Sequence, residues 1–299
     1  MTASGTAAGR LEPLPLTVHV VVYLAIGWVG LQIFAAVTPW VAGYFLGAAA
    51  TSLCTALLVN FLTLRIYTGR RMADLGLWWN RASVDNLAFG VLGGVGAASA
   101  VLAPPLLLGA AHISATPAEL PSFGAAILAT VGLVGGAVGE EFLFRGYAFQ
   151  ILMASCGEWA TVIPVGAVFA LMHWPNPSAS WFSVANTAGF GILFGYAYLR
   201  SRDLWLPIGL HFGWNFTLPL FGVNVSGLRM KMTGHEMVWS AGKLWSGGDY
   251  GPEASVLTTA VMVALAFYLW KAPIRRQNSP LTDPREGSDV CEPSPALPL

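Results

Sequence analysis

Four stretches of this chain contain no Asp, Glu, Lys or Arg: residues 13–64, 86–118, 159–199 and 204–228. A helix crosses roughly 30 Å of hydrocarbon with about 20 predominantly apolar residues, so each stretch is long enough for at least one membrane span. Charged residues make up 10% of the 299-residue sequence and hydrophobic residues 55%, against about 25% charged in soluble domains. Such a chain needs a lipid-facing surface. Disorder and a coiled coil are excluded by the apolar content. A nucleic-acid partner is excluded by a formal net charge of +0 and the lack of an arginine-rich tract. Cys54, Cys156 and Cys291 are odd in number and dispersed, and supply neither a disulfide framework nor a metal knuckle.

The expected fold is all-α: a polytopic membrane helix bundle of about eight transmembrane segments around a buried polar active site. The segments are 16–37, 41–64, 84–108, 123–154, 160–174, 181–199, 204–221 and 255–271, which makes 16–271 a membrane-embedded domain. Residues 1–15 read as a short cytoplasmic segment, and 272–299, rich in Pro, Ser, Asp and Glu, as a disordered cytoplasmic tail. The first apolar run is too long for a cleaved signal peptide. The fourth segment exceeds an ordinary span, which predicts tilt, an interfacial start or a break near Gly135, Gly136 and Gly139. Residues 224–252 are polar enough to lie in water, and 70–79 read as a short interfacial segment. With the N-terminus inside, one side receives Arg10, Arg65, Arg70, Arg71, Arg81, Arg200, Arg202, Lys271, Arg275, Arg276 and Arg285, whereas the other receives Arg229, Lys231 and Lys243. By the positive-inside rule both termini are then cytoplasmic, in the cell membrane.

Chemistry is expected where polar residues interrupt this lipid-compatible sequence. The first place is Gly139-Glu140-Glu141-Phe142-Leu143-Phe144-Arg145-Gly146. Each ionised side chain at the centre of a membrane helix costs about 2.5–3.5 kcal/mol, so the triplet must be compensated. Glu141 and Arg145 are four apart and can pair on one helical face, which turns Glu140 about 100° away, toward a cavity. An ion pair that only fixes packing explains Glu141 and Arg145 but leaves Glu140 without a purpose. The second place is Phe169-Ala170-Leu171-Met172-His173-Trp174-Pro175, a helix too short to reach the far surface, with Phe169 and His173 on one face and proline ending it. The third is His211 and Asn215, four apart on one face; alone they fit a packing pair as well as a catalytic one. Together with Glu140 and His173 they provide a proton acceptor, a second imidazole and an amide able to donate to developing negative charge. His19, His112 and His235 read as structural or solvent-facing. Asn60 and Asn186 read as helix-to-helix hydrogen bonders, and Phe142, Phe144, Phe169, Phe190 and Trp214 as bundle packing that can also shape a groove.

These three motifs resemble the CPBP family of intramembrane proteases, which includes the type II CAAX prenyl endopeptidases and the bacteriocin-processing or immunity proteins of Abi type. Two glutamates followed after three residues by arginine stand at Glu140, Glu141 and Arg145, Phe-x-x-x-His at Phe169 to His173, and His-x-x-x-Asn at His211 to Asn215; the similarity covers about 123–220. The resemblance implies an intramembrane endopeptidase acting on a membrane-associated, CAAX-type prenylated or other, protein or peptide at the lipid bilayer. It implies that Glu140 and His173 activate water, that Glu141 and Arg145 order the site, and that His211 and Asn215 polarise the scissile carbonyl or help hold a metal. The family is commonly labelled a metalloprotease, and a metal-free glutamate mechanism is also described for it. Zinc would take Glu140, His173 and His211 as ligands. The compact His-Glu-x-x-His signature is absent, and the arrangement favoured here needs no cofactor. The other readings are a non-catalytic immunity or scaffold protein and a small-solute transporter.

Overall fold

The computed structural model describes residues 15–282. Its first helix, α1 (Leu16–Tyr67), contains the first two predicted segments and doubles back between them. Gly43 turns the chain at φ 75°, a region closed to most side chains, and Pro39 lies in the same turn. The arms run antiparallel: Thr38 Oγ1 donates to the Gly47 carbonyl at 2.7 Å, and Asn60 Nδ2 reaches the Tyr23 hydroxyl at 3.3 Å. The remaining helices are α2 (Arg81–Leu107), α3 (Phe123–Arg145), α4 (Tyr147–Cys156), α5 (Glu158–Met172), α6 (Trp181–Ser201), α7 (Trp205–Leu220), the single turn α8 (Lys243–Ser246) and α9 (Val256–Lys271). The chain is thus an all-α bundle. The stretches Leu16–Tyr67, Arg81–Leu107 and Phe123–Cys156 are long and apolar enough to cross a membrane, and α5 and α9 are shorter apolar helices. Apolar side chains such as Trp28, Ile33, Trp40, Leu92 and Val263 face outward, as lipid solvent requires.

Two expectations are corrected. The fourth segment does break, but at Gly146, between α3 and α4, and not at Gly135, Gly136 or Gly139. Asn60 supplies the cause, because its Nδ2 donates to the Phe142 carbonyl at 2.9 Å and its Oδ1 accepts from the Tyr147 amide at 2.7 Å. A buried side chain thereby satisfies backbone groups that the interruption would orphan. Gly139 stays helical and faces the Leu53 backbone. The second correction concerns residues 224–252, which are more than an open polar loop. They include β2 (His235–Trp239), paired antiparallel with β1 (Ala111–Ala115) from Ala111↔Trp239 to Ala115↔His235. Between the first and second charge-free stretches, residues 70–79 include a 3₁₀ turn at Met72–Leu75.

The helix that carries His211 is fixed from the side and from its start. On its side, α7 meets α2 backbone to backbone: a Cβ on Gly94 would lie 2.2 Å from the Leu210 carbonyl oxygen and 2.6 Å from the Trp214 amide. Small residues permit this approach where lipid supplies no hydrophobic force between helices. At its start, Asp203 Oδ1 accepts from the Trp205 and Leu206 amides, while Oδ2 accepts from Asn86 and Gln277 side chains at 2.7 and 2.5 Å. Burial pushes the Asp203 carboxyl up from its ordinary range, and those hydrogen bonds oppose the shift. Gln277 itself is held by its amide on the Ser201 carbonyl at 2.8 Å, so the chain just beyond α9 packs across the α2, α6 and α7 ends. Most of the predicted N-terminal segment 1–15, and residues 283–299 of the predicted tail, lie outside the described residues.

Gly94→Val is therefore expected to displace α7 and to lower both the unfolding temperature in detergent and any activity. Gly96→Ala, on the same helix with open space beside it, should leave both unchanged or raise stability slightly through helix propensity. Equal effects from the two substitutions would show that the α2–α7 approach is not what holds α7.

Candidate active site

The three motifs meet in one cavity. Glu140 comes from α3, His173 caps the C-terminal end of α5, and His211 and Asn215 come from α7; all four line a cavity of about 260 Å³. At roughly 30 Å³ per water, this space admits substrate atoms as well as water. Because α5 stops at Met172, before a full crossing, His173 reaches the level of His211 near the start of α7.

Glu140 Oε2 lies 3.7 Å from His173 Nε2 and 3.9 Å from His211 Nε2, and it is buried without a hydrogen-bond partner. The other ring nitrogens set the tautomers. His173 Nδ1 is 2.8 Å from the Phe169 carbonyl, which can only accept, so Nδ1 carries hydrogen and the neutral ring presents an Nε2 lone pair. His211 Nδ1 lies 2.9 Å from Glu141 Oε1 and donates likewise. Glu140 Oε2 and His173 Nε2 are thus two acceptors facing one cavity, while His211 Nε2 accepts when its ring is neutral and donates when the ring is an imidazolium. The two acceptors suit a water molecule, whose two hydrogens they would take.

Glu141 and Arg145 pair as their spacing predicts, at 3.2 Å from Nη1 to Oε2, with both side chains 0% exposed. Arg145 Nη2 also donates to the Gly191 carbonyl on α6 at 2.6 Å, and its guanidinium lies 5.2 Å from the Phe169 ring and 5.5 Å from Phe194. The aromatic faces and the carboxylate together compensate a charge removed from water. The pair touches His211, through Glu141, and so positions the imidazole. Phe169 acts twice, its carbonyl orienting His173 and its ring packing on Arg145. Phe194 stacks on His211 at 4.8 Å between centroids.

Of the aromatic set, Phe144, Phe169, Phe190 and Trp214 line the cavity, whereas Phe142 is buried in a separate core with Tyr147 and Phe149. His19 lies elsewhere, stacked on Tyr67 and 2.8 Å from the Tyr147 hydroxyl. Asn186 bonds the Glu253 and Ser255 carbonyls. Glu253, Ser226, Asn176 and Thr187 also line the cavity. No sequence signal marks them, because each is a lone polar residue in a loop or on a helix face, without a partner at motif spacing.

The chemistry of Glu140, His173 and His211 suits zinc, and their ligand atoms stand a few tenths of an ångström wider than a bound ion would hold them. Bonds of about 2.0–2.2 Å place neighbouring ligand atoms in a tetrahedral site about 3.4 Å apart, and the Glu140 oxygen is farther than that from both imidazoles. Among the described residues no group of three or more His, Cys, Asp or Glu is arranged to hold a metal ion.

Residues 122–217, the span containing all three motifs, match the family described as Type II CAAX prenyl endopeptidase Rce1-like. The match supports membership in the CPBP family. It supports CAAX-type intramembrane endopeptidase activity in general terms, with a membrane-associated protein as the class of substrate. No curated protein matches the chain at a significant level.

Proposed function

We propose that this CPBP-family chain is an intramembrane endopeptidase that hydrolyses a peptide bond in a membrane-associated, CAAX-type substrate with water activated by its own side chains. The observation that carries this reading is the convergence of His173 Nε2 and His211 Nε2 on Glu140 Oε2, a cavity-lining carboxylate oxygen without a hydrogen-bond partner. Water held by Glu140 and His173 gives a proton to the Glu140 carboxylate as its oxygen bonds to the scissile carbonyl carbon. Asn215 donates to the resulting oxyanion from its amide. His211 donates from Nε2 as an imidazolium, whose charge Glu141, bonded to its Nδ1, balances. When the tetrahedral adduct collapses, the carbon–nitrogen bond breaks and Glu140 returns its proton to the leaving amine. The products are a carboxylic acid and an amine, and the remaining water proton passes from the first to the second to give carboxylate and ammonium.

The same reading places both termini on the cytoplasmic side of the cell membrane. It is supported by Asp85, which bridges Arg81 and Arg275 at 3.1 and 2.8 Å, and by Arg200, which bonds the Trp270 carbonyl at 2.6 Å. These contacts gather the basic connections at one end of the bundle.

The test is hydrolysis of a farnesylated CAAX peptide by purified protein in detergent, in water enriched in oxygen-18. Cleavage should place one labelled oxygen in the new carboxyl group. A scaffold would leave the peptide intact, and a transporter would move solute into liposomes without cleaving it.

A further inference from the structure

The mechanism above leaves one buried acid in the cavity unused. Glu253 precedes α9, is 6% exposed and lines the same cavity as Glu140 and Asn215. Its Oε1 accepts from the Trp214 indole at 3.0 Å, next in sequence to Asn215. Its Oε2 accepts from both the amide and the hydroxyl of Ser226, the hydroxyl at 2.9 Å. Ser226 and Gly227 form a tight turn closed by the Val225↔Leu228 bridge, with φ of 49° and 82°. A Cβ on Gly227 would lie 2.1 Å from the Pro177 carbonyl oxygen, and its amide donates to the Tyr250 carbonyl at 2.8 Å. The turn is thus pressed between the segment following His173 and the segment preceding α9, and it places Val225, Leu228 and Met230 in the cavity lining.

We propose that Glu253 is a positioning residue for substrate recognition: by bonding Trp214 and Ser226 together it holds the Val225–Met230 segment as a wall of the catalytic cavity, so that this wall reads substrate side chains. The inference rests on the protease reading for its substrate, and on the observed contacts for the clamp. A carboxylate suits the position because both of its oxygens face donors. The amide of glutamine must turn its NH₂ toward either the indole N–H or the Ser226 N–H, setting donor against donor. The wall does not touch the reacting atoms, so loosening it weakens capture more than chemistry.

The experiment compares wild type, Glu253→Gln and Ser226→Ala in detergent by hydrogen exchange and by hydrolysis of the farnesylated CAAX peptide. In Glu253→Gln, amides 225–230 should exchange at least tenfold faster while those of α7 keep their protection. KM should rise about tenfold, with kcat within about twofold. Ser226→Ala keeps the backbone donor and should move both readouts the same way by less, which preserves the test if Glu253→Gln folds poorly. Unchanged exchange at 225–230 in both variants would overturn the clamp. Faster exchange with unchanged KM would overturn the wall's part in recognition, as would a fall in kcat alone. If wild type cleaves no peptide, the recognition role falls with the protease reading, and exchange still decides the clamp.

Discussion

Glu140→Gln is expected to lower peptide turnover by about 10² to 10⁴-fold, the usual contribution of a general base, with the fold intact. The side chain is partly exposed to the cavity, at 28%, and its Oε2 has no hydrogen-bond partner to lose, so an isosteric neutral replacement strands nothing. His173→Ala should fall in the same range, because the water would lose its second acceptor. The check is initial-rate kinetics at matched monodispersity and unfolding temperature. Turnover within threefold of wild type in either variant would remove that residue from water activation.

The second large effect is expected at Glu141 and Arg145, where stability as well as turnover should fall. Removing one member of a buried pair costs about 3–5 kcal/mol, because the other charge remains in a low-dielectric site. Here the remaining charge has further partners. Arg145 would still face Phe169, Phe194 and the Gly191 carbonyl, and Glu141 would still accept from His211. The double variant Glu141→Ala, Arg145→Ala should accordingly lose less than the sum of the single losses, by about 0.5–3 kcal/mol, when measured by unfolding in detergent. Turnover should fall in Glu141→Ala beyond what stability explains, since His211 loses the acceptor that fixes its ring. Strictly additive stability losses would mean that the two side chains do not share their charge compensation.

The helical plan of this bundle was legible in the sequence because lipid imposes a simple rule: charge-free runs become apolar helices. The rule says little about what happens inside a run. The break at Gly146 depends on Asn60, which is far away in the chain and reads in sequence only as a polar residue within an apolar helix. The pairing of Ala111–Ala115 with His235–Trp239 joins segments separated by most of the bundle, and neither strand has an alternating pattern long enough to announce it. At the site, the four-residue spacings correctly put Glu141 beside Arg145 and His173 on the face of Phe169, because a helix fixes such neighbours locally. They left open which imidazole Glu141 would meet, since that depends on how closely α2 lets α7 approach α3. Glu253 was illegible for the same reason: its partners Trp214 and Ser226 come from α7 and from an irregular turn.

The claim that this protein's own carboxylate and imidazoles activate water is tested most directly by metal analysis of the active enzyme beside its turnover of the farnesylated CAAX peptide. Purified protein should be exhaustively desalted against chelator, assayed, and assayed again after zinc, manganese or cobalt is restored. The account predicts full turnover with metal well below one equivalent per chain and no gain on restoration. One bound metal per active chain, with turnover lost on its removal and regained on its return, would contradict it and make Glu140, His173 and His211 ligands.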